Sequence, residues 1–177
     1  MKIKVQAILA SIFLMFCIEA SSQTDIAAQV QLYPTGLIPG VKIDHSIGTY
    51  GRLSLRLGAN IFDHRDLGFQ EMEEGSGFGF SVGYQYYFNS GFEGLHVELK
   101  NDVWWNSVDW QTDNFNGTTD IVVLQPTLNL GYTMFWGSSF FISPSLGFGW
   151  EWNARVSGAP TGQGAIGLIG LSAGVRL

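Results

Sequence analysis

Three histidines are the natural places to look for chemistry: His45, His64 and His96. Hydrolytic catalysis needs a nucleophile, a base and an orienting acid within hydrogen-bond reach. A His-x-Ser pairing is absent, because the residues two positions on are Ile47, Asp66 and Glu98. His45 stands between Asp44 and Ser46, but neighbours on an extended strand point to opposite faces, so these three do not form a triad. His96 shares a face with Glu98 and is read as its hydrogen-bonded neighbour. Two acidic groups could attract a hard cation: Asp63, Asp66, Glu71, Glu73 and Glu74, then Asp109, Asp113, Asn114, Asn116 and Asp120. Around Gly117 the calcium-loop spacing fails, since Thr112 stands where the first carboxylate belongs. Both groups read as solvated acidic loops. No catalytic, metal or cofactor site is expected.

The remaining charged residues recur at a spacing of two. Lys42 and Asp44 do so, as do Glu98, Lys100 and Asp102, while Arg52 and Arg56 are four apart. On a strand each set shares one face, and the opposite face is apolar. The clearest case is Gly77 to Phe88. Phe78, Phe80, Val82, Tyr84, Tyr86 and Phe88 alternate there with Gly77, Gly79, Ser81, Gly83 and Gln85. The same alternation marks seven more segments, which include Ile26–Leu32, Val41–Ile47, Leu53–Ile61, Leu95–Trp105, Val122–Met134, Phe140–Trp152 and Ile169–Leu177. A glycine-rich second face implies close crowding on that side. A narrow closed barrel with an apolar outside supplies it.

The ends and the composition agree with export to a membrane. Lys2 and Lys4 precede an apolar run from Val5 to Ile18, and small residues follow around Ala20 and Ser22. This reads as a secretory signal peptide over residues 1–22, with one domain over 23–177. The run is shorter than the roughly 20 residues of a spanning helix. Cys17 lies inside the leader, so the exported domain has no cysteine and no disulfide. Loss of Lys2, Lys4 and Glu19 takes the net charge from −6 to −7, which argues against nucleic acid as a partner. Charged residues make up 14%, against about 25% in soluble domains.

The predicted fold is all-β: an eight-stranded antiparallel transmembrane β-barrel, an up-and-down meander. Short connections at Gly48–Gly51, Asn89–Gly94 and Trp136–Ser139 alternate with longer polar ones at Asp63–Ser76, Gln111–Asp120 and Val156–Gly164. That alternation separates a periplasmic rim from an outer one. The inward set is Lys42, Asp44, Arg52, Arg56, Gln85, His96, Glu98, Lys100, Asp102, Glu151 and Arg176. Pairing around Tyr50 would place Asp44 opposite Arg56, and pairing of the next hairpin would place Gln85 opposite Glu98. Aromatics near the strand ends are read as membrane-interface anchors: Tyr33, Phe88, Trp104, Trp105, Trp110, Tyr132, Trp136, Phe140, Trp150 and Trp152. Pro126 and Pro144 fall inside strands, where proline removes a ladder bond, so bulges are expected at both.

This pattern resembles the small eight-stranded outer-membrane β-barrels of Gram-negative bacteria, the group that includes the membrane domain of outer membrane protein A. The last strand, Ala165 to Leu177, resembles the C-terminal signal read by the barrel-assembly machinery, with Leu177 where that signal usually carries phenylalanine. The resemblance implies export by the general secretory pathway to the cell outer membrane, with both termini periplasmic. It also implies outer-membrane lipid, lipopolysaccharide and the assembly machinery as partners, and a monomer. The role read first is structural, anchoring or loop-mediated, with a packed ion-paired lumen and no enzyme activity. The alternatives are a narrow porin-like channel for water, ions or small solutes, a lipid-modifying outer-membrane enzyme, and a soluble lipocalin-like barrel with its apolar face turned inward.

Overall fold

A computed structural model describes residues 23–63 and 70–177. The expected signal peptide, His64 and Asp66 lie outside the described residues. Eight strands follow in order: β1 (Thr24–Tyr33), β2 (Gly36–Ile47), β3 (Gly51–Asp63), β4 (Met72–Tyr87), β5 (Gly94–Gln111), β6 (Asn116–Trp136), β7 (Phe140–Ser157) and β8 (Gly164–Arg176). Each is antiparallel to the next, and β8 pairs with β1 from Asp25↔Arg176 to Leu32↔Ile169, closing the barrel. Closure leaves no sheet edge. Both ends of the domain meet at one rim, where Leu177 N donates to Thr24 O at 2.9 Å.

Alternation decides which face each residue takes. Leu57, Leu128, Leu146 and Ile169 are more than half exposed on the outside, while Arg52, Arg56, Lys100 and Asp102 are buried within. Outward aromatics form two bands. Tyr86, Phe88, Tyr132, Trp136 and Phe140 ring the rim that carries the termini. Phe78, Phe80, Trp105, Trp150 and Trp152 stand higher, with Phe78 stacked on Trp105 at 5.6 Å. Amphipathic rings favour the two membrane–water boundaries.

The wall is uneven in height. β5, β6 and β7 run for 18, 21 and 18 residues, whereas β1 has 10 and β2 has 12. About 9–11 residues cross a bilayer at a tilt, so the long strands continue beyond it. Met72–Ser76, Asn116–Asp120 and Val156–Ser157 are therefore strand rather than loop, and the connection between β5 and β6 shrinks to Thr112–Phe115. The hydrophobic face inverts along this extension. On the lower part of β5, Leu95, Leu99 and Trp105 face out while Glu98, Lys100 and Asp102 face in. Above Trp105 the outward residues are Ser107 and Asp109, and Val108 is buried inside. β6 does the same, with Asp120 outside and Ile121 and Val123 within. The inversion is what a change of surroundings from lipid to water requires.

Two features of the ladder differ from the sequence expectation. Pro126 pairs in register with Asn101, and Pro144 pairs in register with Leu171. Neither sits at a bulge. Each leaves a gap on the β6–β7 seam without shifting it, where partners for Pro126 and for Pro144 are missing from an otherwise continuous register. The shift occurs instead at Val122/Val123, which face Arg155 and Asn153, so Ala154 is the extra residue. Secondly, β2 and β3 pair two residues away from the expected register. Asp44 faces Ser54, and Arg56 faces Lys42. The turn is the three residues 48–50, in which Gly48 takes a φ of 69°, a conformation glycine adopts without a Cβ penalty.

Candidate functional site

The interior of the barrel is where charge and burial coincide, and it divides into levels. At the rim with the termini, the turn between β4 and β5 folds inward. Phe92 holds a φ of 52° and is buried against Tyr87, with ring centroids 5.5 Å apart. A left-handed non-glycine residue costs on the order of 1 kcal/mol and persists where its surroundings fix it. Here Arg176 Nη1 donates to Gly91 O at 3.1 Å, and the Arg52 guanidinium lies 5.3 Å from the Phe92 ring centroid.

Above Phe92 lies a first ionic cluster centred on Asp25. Arg52 Nη1 donates to Asp25 Oδ2 at 2.5 Å, and Arg176 Nε donates to Asp25 Oδ1 at 3.0 Å. Arg52 Nη2 donates to the Asp44 carbonyl at 3.1 Å. Asp44 accepts from the Ser54 hydroxyl and lies 3.4 Å from Lys42 Nζ. Lys42 reaches Glu98 at 3.0 Å, and Glu98 also accepts from Gln85 at 3.3 Å and Asn129 at 3.1 Å. A second cluster sits higher. Arg56 Nη2 donates to Asp102 at 2.8 Å, and Lys100 Nζ donates to the same carboxylate at 2.9 Å. Gln31 accepts from both Arg56 and Lys100, and Gln29 accepts from Arg56 at 3.0 Å. Buried charge is tolerable only when paired and hydrogen-bonded, and these charges are.

Asp25 was missed by the sequence reading, although it shares parity with Gln29 and Gln31 on β1. With it, among the described residues the inward cations Lys42, Arg52, Arg56, Lys100 and Arg176 share the interior with six carboxylates: Asp25, Asp44, Glu73, Glu98, Asp102 and Glu151. Gln85 stands opposite Glu98, as the hairpin pairing expects. His96 takes another partner: its ring stacks on Tyr87 at 4.5 Å. It packs into the space left by Gly131, its cross-strand partner. His45 faces outward beside the Thr24 hydroxyl at 3.0 Å, while Asp25 and Asp44 point into the barrel. No nucleophile–base–acid set forms among these residues.

The third level is apolar. Trp104, Ile38, Phe62, Val108, Ile121, Val123, Ile166 and Leu168 form one buried cluster, with Tyr33 against it. Trp104 is fully buried, donates its indole N–H to Gln125 at 3.1 Å, and lies 5.4 Å from the Arg56 guanidinium. Opposite Trp104 stands Gly79, where a Cβ would collide with the indole ring. Three expected interface anchors are therefore interior. Trp104 fills the lumen, Tyr33 donates to buried Asn60 at 2.6 Å, and Trp110 donates to buried Thr119 at 3.1 Å. Their parity with inward neighbours decides this, against their position near strand ends. Phe88, Trp105, Tyr132, Trp136, Phe140, Trp150 and Trp152 face outward.

The outer mouth is covered by the connection from tall β7 down to short β8. Thr161 and Gly162 are buried there. Asn153, beside the bulge, donates to the Thr161 carbonyl at 3.2 Å and to its hydroxyl at 3.1 Å. Glu73, read from sequence as a loop residue, is a buried β4 residue that accepts from Gly162 N at 3.5 Å and from Gln70 N at 3.2 Å.

The architecture is that of the small eight-stranded outer-membrane barrels. The chain is similar in structure to a major outer membrane protein from Thermus thermophilus, with a TM-score of 0.60 and 15% identity over 89% of this chain and 100% of that one. It is also similar to the N-terminal β-barrel domain of Pseudomonas aeruginosa OprF, with a TM-score of 0.56 and 16% identity over 88% and 97% of the two chains. A third likeness is to Ail, the attachment invasion locus protein of Yersinia pestis, with a TM-score of 0.50 and 12% identity over 89% and 97%. No protein-family model matches the chain, and no curated protein matches its sequence.

Proposed function

We propose that this chain is an integral outer-membrane barrel with a sealed, ion-paired lumen, serving a structural, anchoring or loop-mediated role rather than transport or catalysis. One observation supports the reading: among the described residues, buried side chains occupy each level of the lumen. Phe92 fills the inner mouth, the two ionic clusters the middle, the Trp104 layer the upper part, and Thr161 the outer mouth. Eight strands enclose little more than their own side chains. The apolar belt between two aromatic bands is suited to outer-membrane lipid, and the polar outer extension to lipopolysaccharide at its rim. In this reading the chain leaves by the general secretory pathway, the assembly machinery takes β8, the termini are periplasmic, and the barrel is a monomer.

Planar-bilayer recording tests the seal. A flat baseline is expected; steady unitary steps that change in size with Arg56→Ala would establish a narrow channel instead. Gel migration of unheated and boiled samples tests the barrel itself, since a closed membrane barrel keeps a distinct mobility in detergent until it is boiled.

A further inference from the structure

The bulge on β7 changes the direction of one side chain. From Phe141 to Asn153 the odd residues of β7 face inward. Unbroken alternation would send Arg155 into the apolar upper lumen. The extra residue Ala154 turns it outward, opposite Val122. Bulges re-aim side chains in this way, and they concentrate near functional sites. Among the described residues Arg155 is the outward-facing cation of the strands, and it has no ion pair.

Arg155 joins two horizontal rows on the outer wall. The lower row runs Phe78↔Trp105↔Val122↔Arg155 across β4 to β7. The upper row runs Ser76↔Ser107↔Asp120↔Ser157. A groove of about 540 Å³ lies along them. Its floor is apolar and stacked, its upper edge is hydroxyl-bearing, and it contains one cation and one carboxylate on a diagonal. It sits where the outward face changes from apolar to polar, the height at which lipid headgroups meet the wall.

We infer that this groove holds a phosphate-bearing membrane lipid, its phosphate on Arg155, an amine or hydroxyl of its headgroup on Asp120, and an acyl chain along Trp105 and Phe78. The assignment rests on the membrane-barrel reading above. Guanidinium matches a phosphate through parallel N–H donors, and the pairing strengthens where water is scarce. Asp120 repels a bare anion, so a headgroup that also carries a donor, such as phosphoethanolamine, fits better than one without.

Full-length protein purified in detergent would be titrated with phosphatidylethanolamine, phosphatidylglycerol or uncharged diacylglycerol, and retained lipid counted by native mass spectrometry. One phosphatidylethanolamine per barrel is expected, with weaker retention of phosphatidylglycerol and none of diacylglycerol. Arg155→Gln should lower retention about tenfold, the loss of one charge-assisted bond, and Arg155→Lys should recover part of it. Deleting Ala154 should leave retention in place, because Arg155 then follows inward-facing Asn153 directly and still points outward opposite Val122. Asp120→Asn should remove the preference for phosphatidylethanolamine over phosphatidylglycerol. Equal retention by wild type and Arg155→Gln, or displacement of the lipid by free phosphoethanolamine at equal concentration, overturns the assignment. The boiling shift separates the two failures: a wild-type protein without it refutes the barrel reading, whereas a normal shift with no retained lipid refutes this site alone.

Discussion

The lower and upper halves of the lumen solve the same filling problem with opposite chemistry. The lower half is held by directed bonds among Asp25, Lys42, Asp44, Arg52, Glu98 and Arg176. The upper half is held by shape, with Trp104 packed among Ile38, Phe62, Val108 and Val123. The difference follows from what lies outside. Around the lower half the wall faces lipid, and an apolar interior would gain nothing there from exclusion of water. Above Trp105 the outward residues are Ser76, Ser107, Asp109 and Asp120, so around Val108 and Ile121 the wall behaves as an ordinary soluble sheet with a hydrophobic inside. Trp104 marks the crossing, inside a wall whose outer face still carries Trp105 and Phe78. One chain thus carries a membrane protein's inverted pattern and a soluble protein's normal one, on the same strands.

Substitutions should separate the two halves. The largest effect is expected from Asp25→Ala, which strands the buried Arg52 and the neighbouring Arg176. A loss of about 3–5 kcal/mol follows from leaving a buried charge uncompensated, read as the urea midpoint of the barrel in lipid vesicles. A loss below about 1 kcal/mol would place the cluster with solvent-screened surface pairs and erase the contrast. Trp104→Ala should cost about 3 kcal/mol through the cavity it leaves. The double variant should show near-additive losses, because the two sites share no partner; strong coupling would mean that the halves act as one unit. Gly83→Leu should cost about 2 kcal/mol by overpacking, since a Cβ there lies 2.9 Å from that of Lys100. Val82→Leu, facing lipid, should stay within about 0.5 kcal/mol; equal effects of the two would reverse the assignment of faces. The smallest change belongs to Asp109→Ala. Its carboxylate accepts from Thr118 at 2.6 Å on the exposed wall, a bond whose loss in water is worth about 0.5 kcal/mol. The same urea series would show it, and a loss rivalling that of Asp25→Ala would mean that burial is not what sets the scale.

The lower half was readable from sequence because parity and polarity agree there. Lys42, Arg52, Glu98 and Lys100 reveal their face by alternating with leucine, isoleucine and valine. The upper half was hidden by the inversion itself. Once hydrophobicity changes faces, Gln111–Asp120 reads as a polar loop, although β6 already begins at Asn116 and the strands on either side place Val108 and Ile121 inside. Trp104 and Tyr33 were misjudged by nearness to strand ends, a weaker signal than parity. Ala154 leaves no local mark, because a bulge is an event between two strands. Pro126 and Pro144 misled in the other direction: each faces its missing N–H toward a ladder gap and keeps the register intact.

The Asp25–Arg176 pair joins residues 151 apart in the chain, and this gives the barrel a temporal order. The adjacent hairpins close over short loops and can zip early. The β1–β8 seam must wait for the longest closure, whose entropic penalty falls on the final step. Until then two strand edges remain open to other chains. Arg176, reaching Asp25, Gly91 and Phe92 together, fastens that seam and the inward-folded turn in one motion. It acts as a latch, and cutting it should slow barrel closure more than it alters the finished wall.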